Sequence, residues 1–135
     1  MVTSTIPYAL VVEDDVLILM NTCDILEEAG FRFYEASTGP GAIALLEGLA
    51  GNVILLFSDV ELQGDLDGFD LARHVEQHWP WIEIIIASGH IEPQPGDMPE
   101  KATFIRKPFN SHIVHNHLRK SLPDHKKPEP LRLKV

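Results

Sequence analysis

The 135-residue sequence is poor in cysteine, in aromatic side chains, in positive charge and in long apolar runs. A single cysteine, Cys23, excludes an internal disulfide framework and fits a reducing, cytoplasmic setting. No apolar stretch exceeds Val53–Phe57, whereas a membrane span needs ~20 residues. Residues 1–12 lack a basic start, and Glu13, Asp14 and Asp15 cut the first apolar run short, so no signal peptide is expected. Basic residues are outnumbered, 11 Lys+Arg against 20 Asp+Glu, for a net charge of −9. Residues 123–135 carry four of the bases and two of the acids, which leaves −11 on residues 1–122. Such a body repels nucleic acid and attracts a cationic partner or a divalent metal, besides favouring solubility. The length suits one domain with one core, which buries roughly two thirds of the unfolded surface.

What is present alternates between two periods. Tyr8–Val12 is a short apolar strand. Val16, Leu19, Met20, Cys23 and Leu26 follow at the spacing of a helix face, with Asp15 as N-cap and Gly30 as stop. Phe31–Ala36 alternates as a half-buried strand. Ser37-Thr38-Gly39-Pro40 opens a helix whose stripe is Ile43, Leu45, Leu46 and Leu49. Val53–Phe57 is uninterrupted and bounded by breakers, as a parallel strand buried on both faces would be. Val60–Asp67 is a polar loop, and Gly68–His78 a helix with Phe69, Ala72 and Val75 inward. Ile82–Ala87 and Ala102–Arg106 are two more strands, and Asn110–Leu122 a last helix facing inward through Ile113, Val114, Leu118 and Leu122. Five strands separated mostly by helices predict an α/β fold, a five-stranded parallel sheet wound on both faces.

One connection breaks the pattern. Residues 88–101 contain Pro93, Pro95 and Pro99 with Gly96, and a helix-interior proline costs ~3 kcal/mol. The segment is predicted to form a loop with at most one helical turn. Pro123, Pro128 and Pro130 likewise predict a mobile, extended tail over 123–135, after a folded domain over 1–122.

In open parallel sheets, sites form at the carboxyl ends of the strands. Those ends carry Glu13-Asp14-Asp15, Ser58-Asp59, Ser88-Gly89 and Arg106-Lys107-Pro108. Glu13, Asp14 and Asp59 brought together repel one another in a low-dielectric cleft. Mg²⁺, which takes one or two carboxylates, a carbonyl and waters, relieves the repulsion. Lys107 can neutralise a further anion, and Ser88 can donate a hydrogen bond to it. Metal, lysine and hydroxyl together cradle a phosphoryl group, with the central carboxylate as nucleophile. Each acid taken singly also reads as a cap or turn residue, and Lys107 as solvated surface; Asp65, Asp67 and Asp70 are loop and helix-start residues.

Val11-Val12-Glu13-Asp14-Asp15, Phe57-Ser58-Asp59, Asp67-Gly68, Ala87-Ser88-Gly89 and Ile105-Arg106-Lys107-Pro108-Phe109 together resemble the response-regulator receiver domain of two-component signalling, over about residues 6–122. The resemblance implies the flavodoxin-like receiver fold, with Asp59 as phosphoacceptor. It implies Glu13 and Asp14 as the acidic pair for Mg²⁺, Asp14 the more direct ligand, with the Glu61 backbone carbonyl completing the set. Ser88 takes the place of the hydroxyl that bonds the phosphoryl group, Lys107 that of the phosphate-binding lysine, and Phe104 that of the aromatic switch residue. The Lys107–Pro108 bond matches the family's cis peptide. Glu61 and His90, two residues beyond Asp59 and Ser88, are placed to modulate dephosphorylation. The partner implied is a sensor histidine kinase or histidine phosphotransfer protein, without nucleic acid or membrane. The chain is read as a stand-alone receiver or one cut from a hybrid kinase, not an enzyme beyond its own phosphorylation and slow autodephosphorylation.

Two other functions compete. An aspartate-nucleophile phosphohydrolase also uses Asp, Mg²⁺, Ser and Lys, but Asp59-Val60-Glu61 only approximates its Asp-x-Asp. A non-phosphorylated interaction module has no use for the acidic repulsion. His112, His115 and His117 read as a polar helix face before a transition-metal site, and Cys23 as a small core residue.

Overall fold

The computed structural model describes residues 6–132. Five strands, β1 (Tyr8–Val12), β2 (Arg32–Ala36), β3 (Val53–Asp59), β4 (Glu83–Ser88) and β5 (Thr103–Arg106), alternate with helices α1 (Val16–Glu28), α2 (Gly39–Leu49), α3 (Gly68–His78) and α4 (Ser111–Ser121). All neighbouring pairs are parallel, in the order β2-β1-β3-β4-β5. The order reverses between β1 and β3, the place where open α/β sheets hold their ligands.

Strand alternation sends side chains into two cores. Leu10 and Val12 of β1 join Leu46, Leu56, Leu71, Val75, Ile84 and Ile86 under α2 and α3. Ala9 and Val11 join Leu26, Leu55, Phe57, Ile85, Ile105, Val114 and Leu118 under α1 and α4. The sheet is therefore covered on both faces, as its near-continuous apolar strands require.

The helix caps follow the sequence. Asp15 accepts from the amides of Leu17 and Ile18 at the start of α1. Asp67 and Asp70 form a reciprocal capping box on α3. The stripe expected on α1 needs correction. Val16 is 65% and Met20 57% exposed, while Thr22, Cys23, Ile25 and Leu26 make its buried face. Ile113, expected inward on α4, is also exposed.

No helix lies between β4 and β5, only turns around Gln94–Asp97 and Pro99–Lys101. Ile91 and Met98 pack on the α2/α3 core. Arg73 donates to the Asp97 carbonyl, Lys101 to the Pro80 carbonyl, and Arg106 pairs with Glu92.

The extended tail is also corrected over its described part, residues 123–132; residues 133–135 lie outside the described residues. A 3₁₀ turn at Asp124–Lys126 and a short helix, α5 (Glu129–Arg132), fold back on the domain. Leu131 is buried beside Val114, Leu118 and Leu122. Lys126 Nζ donates to Glu83 Oε2 and to the Trp81 carbonyl, each at 2.6 Å. Gly30, with φ +105°, gives room for Pro128 and Pro130, which an added Cβ would approach to 2.7 and 2.8 Å.

Candidate functional site

Glu13 leaves β1 at the switch point, and its amide donates to the Ala36 carbonyl. Asp59 is the last residue of β3, paired in register with Ala87 of β4. Lys107 leaves β5, its amide held by the Ser88 carbonyl, just before the cis Lys107–Pro108 bond. Three separate strand ends thus deliver the charges to one cleft.

Lys107 Nζ donates to Glu13 Oε1 at 2.8 Å and stands 3.1 Å from Asp59 Oδ1. The second approach is an ion pair without hydrogen-bond alignment, so Asp59 Oδ1 is a buried oxygen with no hydrogen-bond partner. Glu13 Oε2 accepts from the Asp15 amide at 3.2 Å. Glu13, Asp14 and Asp59 each offer a carboxylate oxygen within 4.8 Å of the others, Glu13 and Asp59 buried and Asp14 exposed.

Burial raises the Asp59 pKa, with Lys107 opposing and Glu61 and Asp14 adding to the rise. Burial likewise raises Glu13, against its bonds to Lys107 and the Asp15 amide. For Lys107, burial acts downward, and the two carboxylates outweigh it to leave the ammonium raised. One cation therefore balances part of three acids. The remaining negative charge, with Asp59 Oδ1 held only through its ion pair with Lys107, fits a hard divalent cation with oxygen ligands.

Asp15, Glu61, Gly89 and His90 line the same cleft, as do Ile18, Asn21, Pro108 and Phe109. Asn21 escaped the sequence reading because a polar residue in a helix looks solvated. Its spacing is the signal: Ile18 and Asn21, three apart in α1, lie on one helical face. Ser88 and Phe104 are not among the lining residues. Ser88 is fully buried, and its Oγ accepts from the His90 and Ile91 amides at 3.2 and 3.0 Å. Phe104 is half-buried against the α2/α3 core.

The backbone beneath the site is tightly built. A Cβ on Gly68 would come within 2.0 Å of the Asp59 carbonyl oxygen and 2.8 Å of Val60 Cα. Only glycine lets α3 start against the end of β3.

The family model for the response regulator receiver domain matches residues 9–119. The chain belongs to that family. Receiver domains are the phosphoacceptor modules of two-component signalling; they generally bind Mg²⁺ at an acidic pocket, work with histidine kinases or phosphotransfer proteins, and are not conventional enzymes. Over 106 residues this receiver is 33% identical to the sensor kinase CckA of Brucella abortus, 75% of this chain and 11% of that protein. It is 34% identical over 106 residues to the nitrogen assimilation regulatory protein NtrX of Azorhizobium caulinodans, 76% of this chain and 23% of that protein. The chain thus spans a small part of the curated relatives it matches. The solved receiver domain of NtrX from Brucella abortus superposes with a TM-score of 0.70 at 27% identity, covering 84% of this chain and 97% of that one. No helix among the described residues is long and apolar enough to cross a membrane.

Proposed function

We propose that this receiver is a phosphorylation-dependent switch whose acceptor is Asp59. It takes the phosphoryl group from the phosphohistidine of a sensor kinase or phosphotransfer protein. The observation that carries the reading is the buried Asp59 Oδ1, ion-paired with the Lys107 ammonium and close to the carboxylates of Glu13 and Asp14.

In the reaction, an Asp59 carboxylate oxygen forms the new bond to phosphorus as the donor's P–N bond breaks. The electron pair returns to the imidazole nitrogen of the donor. Glu13, Asp14, Asp59 and the Glu61 backbone carbonyl would hold Mg²⁺, which would supply positive charge to offset that of the phosphoryl group. Lys107 can turn from Asp59 toward a phosphoryl oxygen while Glu13 still anchors it. Ser88 Oγ, now only an acceptor, keeps its hydroxyl hydrogen to donate to the phosphoryl group. Phe104 follows the rearrangement of the Ser88 loop, and Glu61 and His90 at the rim set the water's access and so the lifetime of the acyl phosphate.

Incubation with a small acyl phosphate and Mg²⁺ tests the assignment. One phosphate is expected per chain, none in Asp59→Asn and none in excess chelator. Labelling of Asp59→Asn at the wild-type level overturns the acceptor, and undiminished labelling in chelator removes the metal. Sustained release of inorganic phosphate from a generic phosphate ester would instead support a phosphohydrolase.

A further inference from the structure

A second group of ligand-type side chains lies far from the cleft. Helix α3 runs from the carboxyl edge of the sheet back to its amino edge, so its last turn is remote from Asp59. That turn carries His74 and His78, one helical turn apart on the same face. Their rings stack with centroids 4.0 Å apart and an interplanar angle of 17°.

His78 Nδ1 lies 2.9 Å from the His74 carbonyl oxygen. A carbonyl can only accept, so Nδ1 carries the hydrogen. In the neutral ring, Nε2 then holds the free lone pair. Histidines that ligate metals typically have their other nitrogen tied to such an acceptor, which fixes tautomer and orientation. Burial lowers the His74 pKa, and His78 lowers it further against the pull of Glu47. Two nitrogens on one tetrahedral ion at ~2.0–2.1 Å are about 3.4 Å apart, and the ion lies in the plane of each ring, so His74 must swing out of the stack by a side-chain rotation to share an ion with His78.

The other helical histidines are not arranged this way. Within α4, His112 faces Asn116, His115 contacts the Ile25 carbonyl and His117 contacts Thr103, each engaged with a separate neighbour.

We propose that His74 and His78 form a bidentate surface site for an imidazole-preferring divalent ion such as Cu²⁺, Ni²⁺ or Zn²⁺, with water completing the coordination. Its donor set is nitrogen only, so Mg²⁺, which seeks oxygen, does not compete there.

The site has a built-in reporter. The Trp79 ring lies 5.8 Å from His74 and 5.7 Å from His78. In a Trp81→Phe chain, Trp79 is the sole indole. Titration of that chain with Cu²⁺, Ni²⁺ and Co²⁺ in excess Mg²⁺ should quench Trp79 saturably at one ion per chain. Affinity should fall from Cu²⁺ to Ni²⁺ to Co²⁺. His74→Gln and His78→Gln should each weaken binding at least about tenfold, and His112→Gln should leave it unchanged. In the unmutated chain, Ni²⁺ should broaden the His74 and His78 ring signals by NMR before those of the α4 histidines. Binding that survives both substitutions overturns the proposal. Broadening that begins in α4, or loss of the quench as Mg²⁺ rises, overturns it as well.

Discussion

Burial and the Lys107 ammonium pull the Asp59 carboxyl in opposite directions, and burial wins. Because the folded pKa lies above the unfolded one, the stability that Asp59 contributes is present at low pH and is lost as pH rises through the folded value. At neutral pH its ionised form opposes folding. Asp59→Asn should therefore stabilise the domain by about 1–2 kcal/mol at pH 7.5 in urea unfolding, with the gain shrinking toward pH 5. A destabilised Asn variant at neutral pH would contradict this balance. Two glycines give a sharper contrast. Gly68→Ala drives a methyl group into the Asp59 carbonyl and should cost about 1–3 kcal/mol together with acceptor activity. Gly89 has no positive φ, and a Cβ there meets Lys107 Cβ at an ordinary 3.6 Å. Gly89→Ala should stabilise by about 0.4–1 kcal/mol through the unfolded chain. Equal effects at the two positions, read as unfolding midpoints, would refute the distinction.

Among the elements, the connection between β4 and β5 stands apart because side chains fasten it: Arg73 of α3 donates to its Asp97 carbonyl, its own Lys101 donates to the Pro80 carbonyl, and Arg106 of β5 pairs with its Glu92 side chain. Its other anchor is Ser88 Oγ, which holds the amides of His90 and Ile91. A phosphoryl group on Asp59 that recruits this hydroxyl pulls directly on the start of the segment. Amide exchange across 88–101 should slow when a beryllofluoride phosphoryl mimic is added with Mg²⁺, while α3 stays unchanged. Unaltered exchange there would end the idea that this element reads the phosphate. Three prolines made the lack of a helix legible in the sequence, because a missing donor is a local property. The direction of the Ser88 hydroxyl was not legible, since it depends on which amides the loop brings back. The α1 face was half legible. Cys23 and Leu26 lie over the sheet, whereas Val16 and Met20, apolar and correctly spaced, are exposed, and periodicity does not say which side of a helix meets the core.

For the molecule as a whole, the strand ends and the acidic cleft were legible because a parallel sheet brings successive carboxyl ends to one edge. The C-terminal return was not. Prolines at 123, 128 and 130 locally favour extension, and only the docking of Leu131 and Lys126 on distant surfaces overrides them. A chain ended after Leu122 should lose about 2–4 kcal/mol, since it uncovers Leu118 and Leu122 as well as losing Leu131. Thermal or urea unfolding of the two lengths measures it, and a difference below about 0.5 kcal/mol would mean the return carries no stability.

The bond between Lys107 and Glu13 joins residues 94 apart. During synthesis all three acids, Glu13, Asp14 and Asp59, leave the ribosome before the Lys107 ammonium that balances them. At ~5–20 residues per second, Lys107 follows Asp59 after roughly 2–10 s. Over that interval the chain has its acids, while β4 and then β5, with the lysine, are still to come. A divalent ion in the surrounding solution is then the available counter-charge, so the order of emergence makes the cation an early companion of the fold as well as of its chemistry.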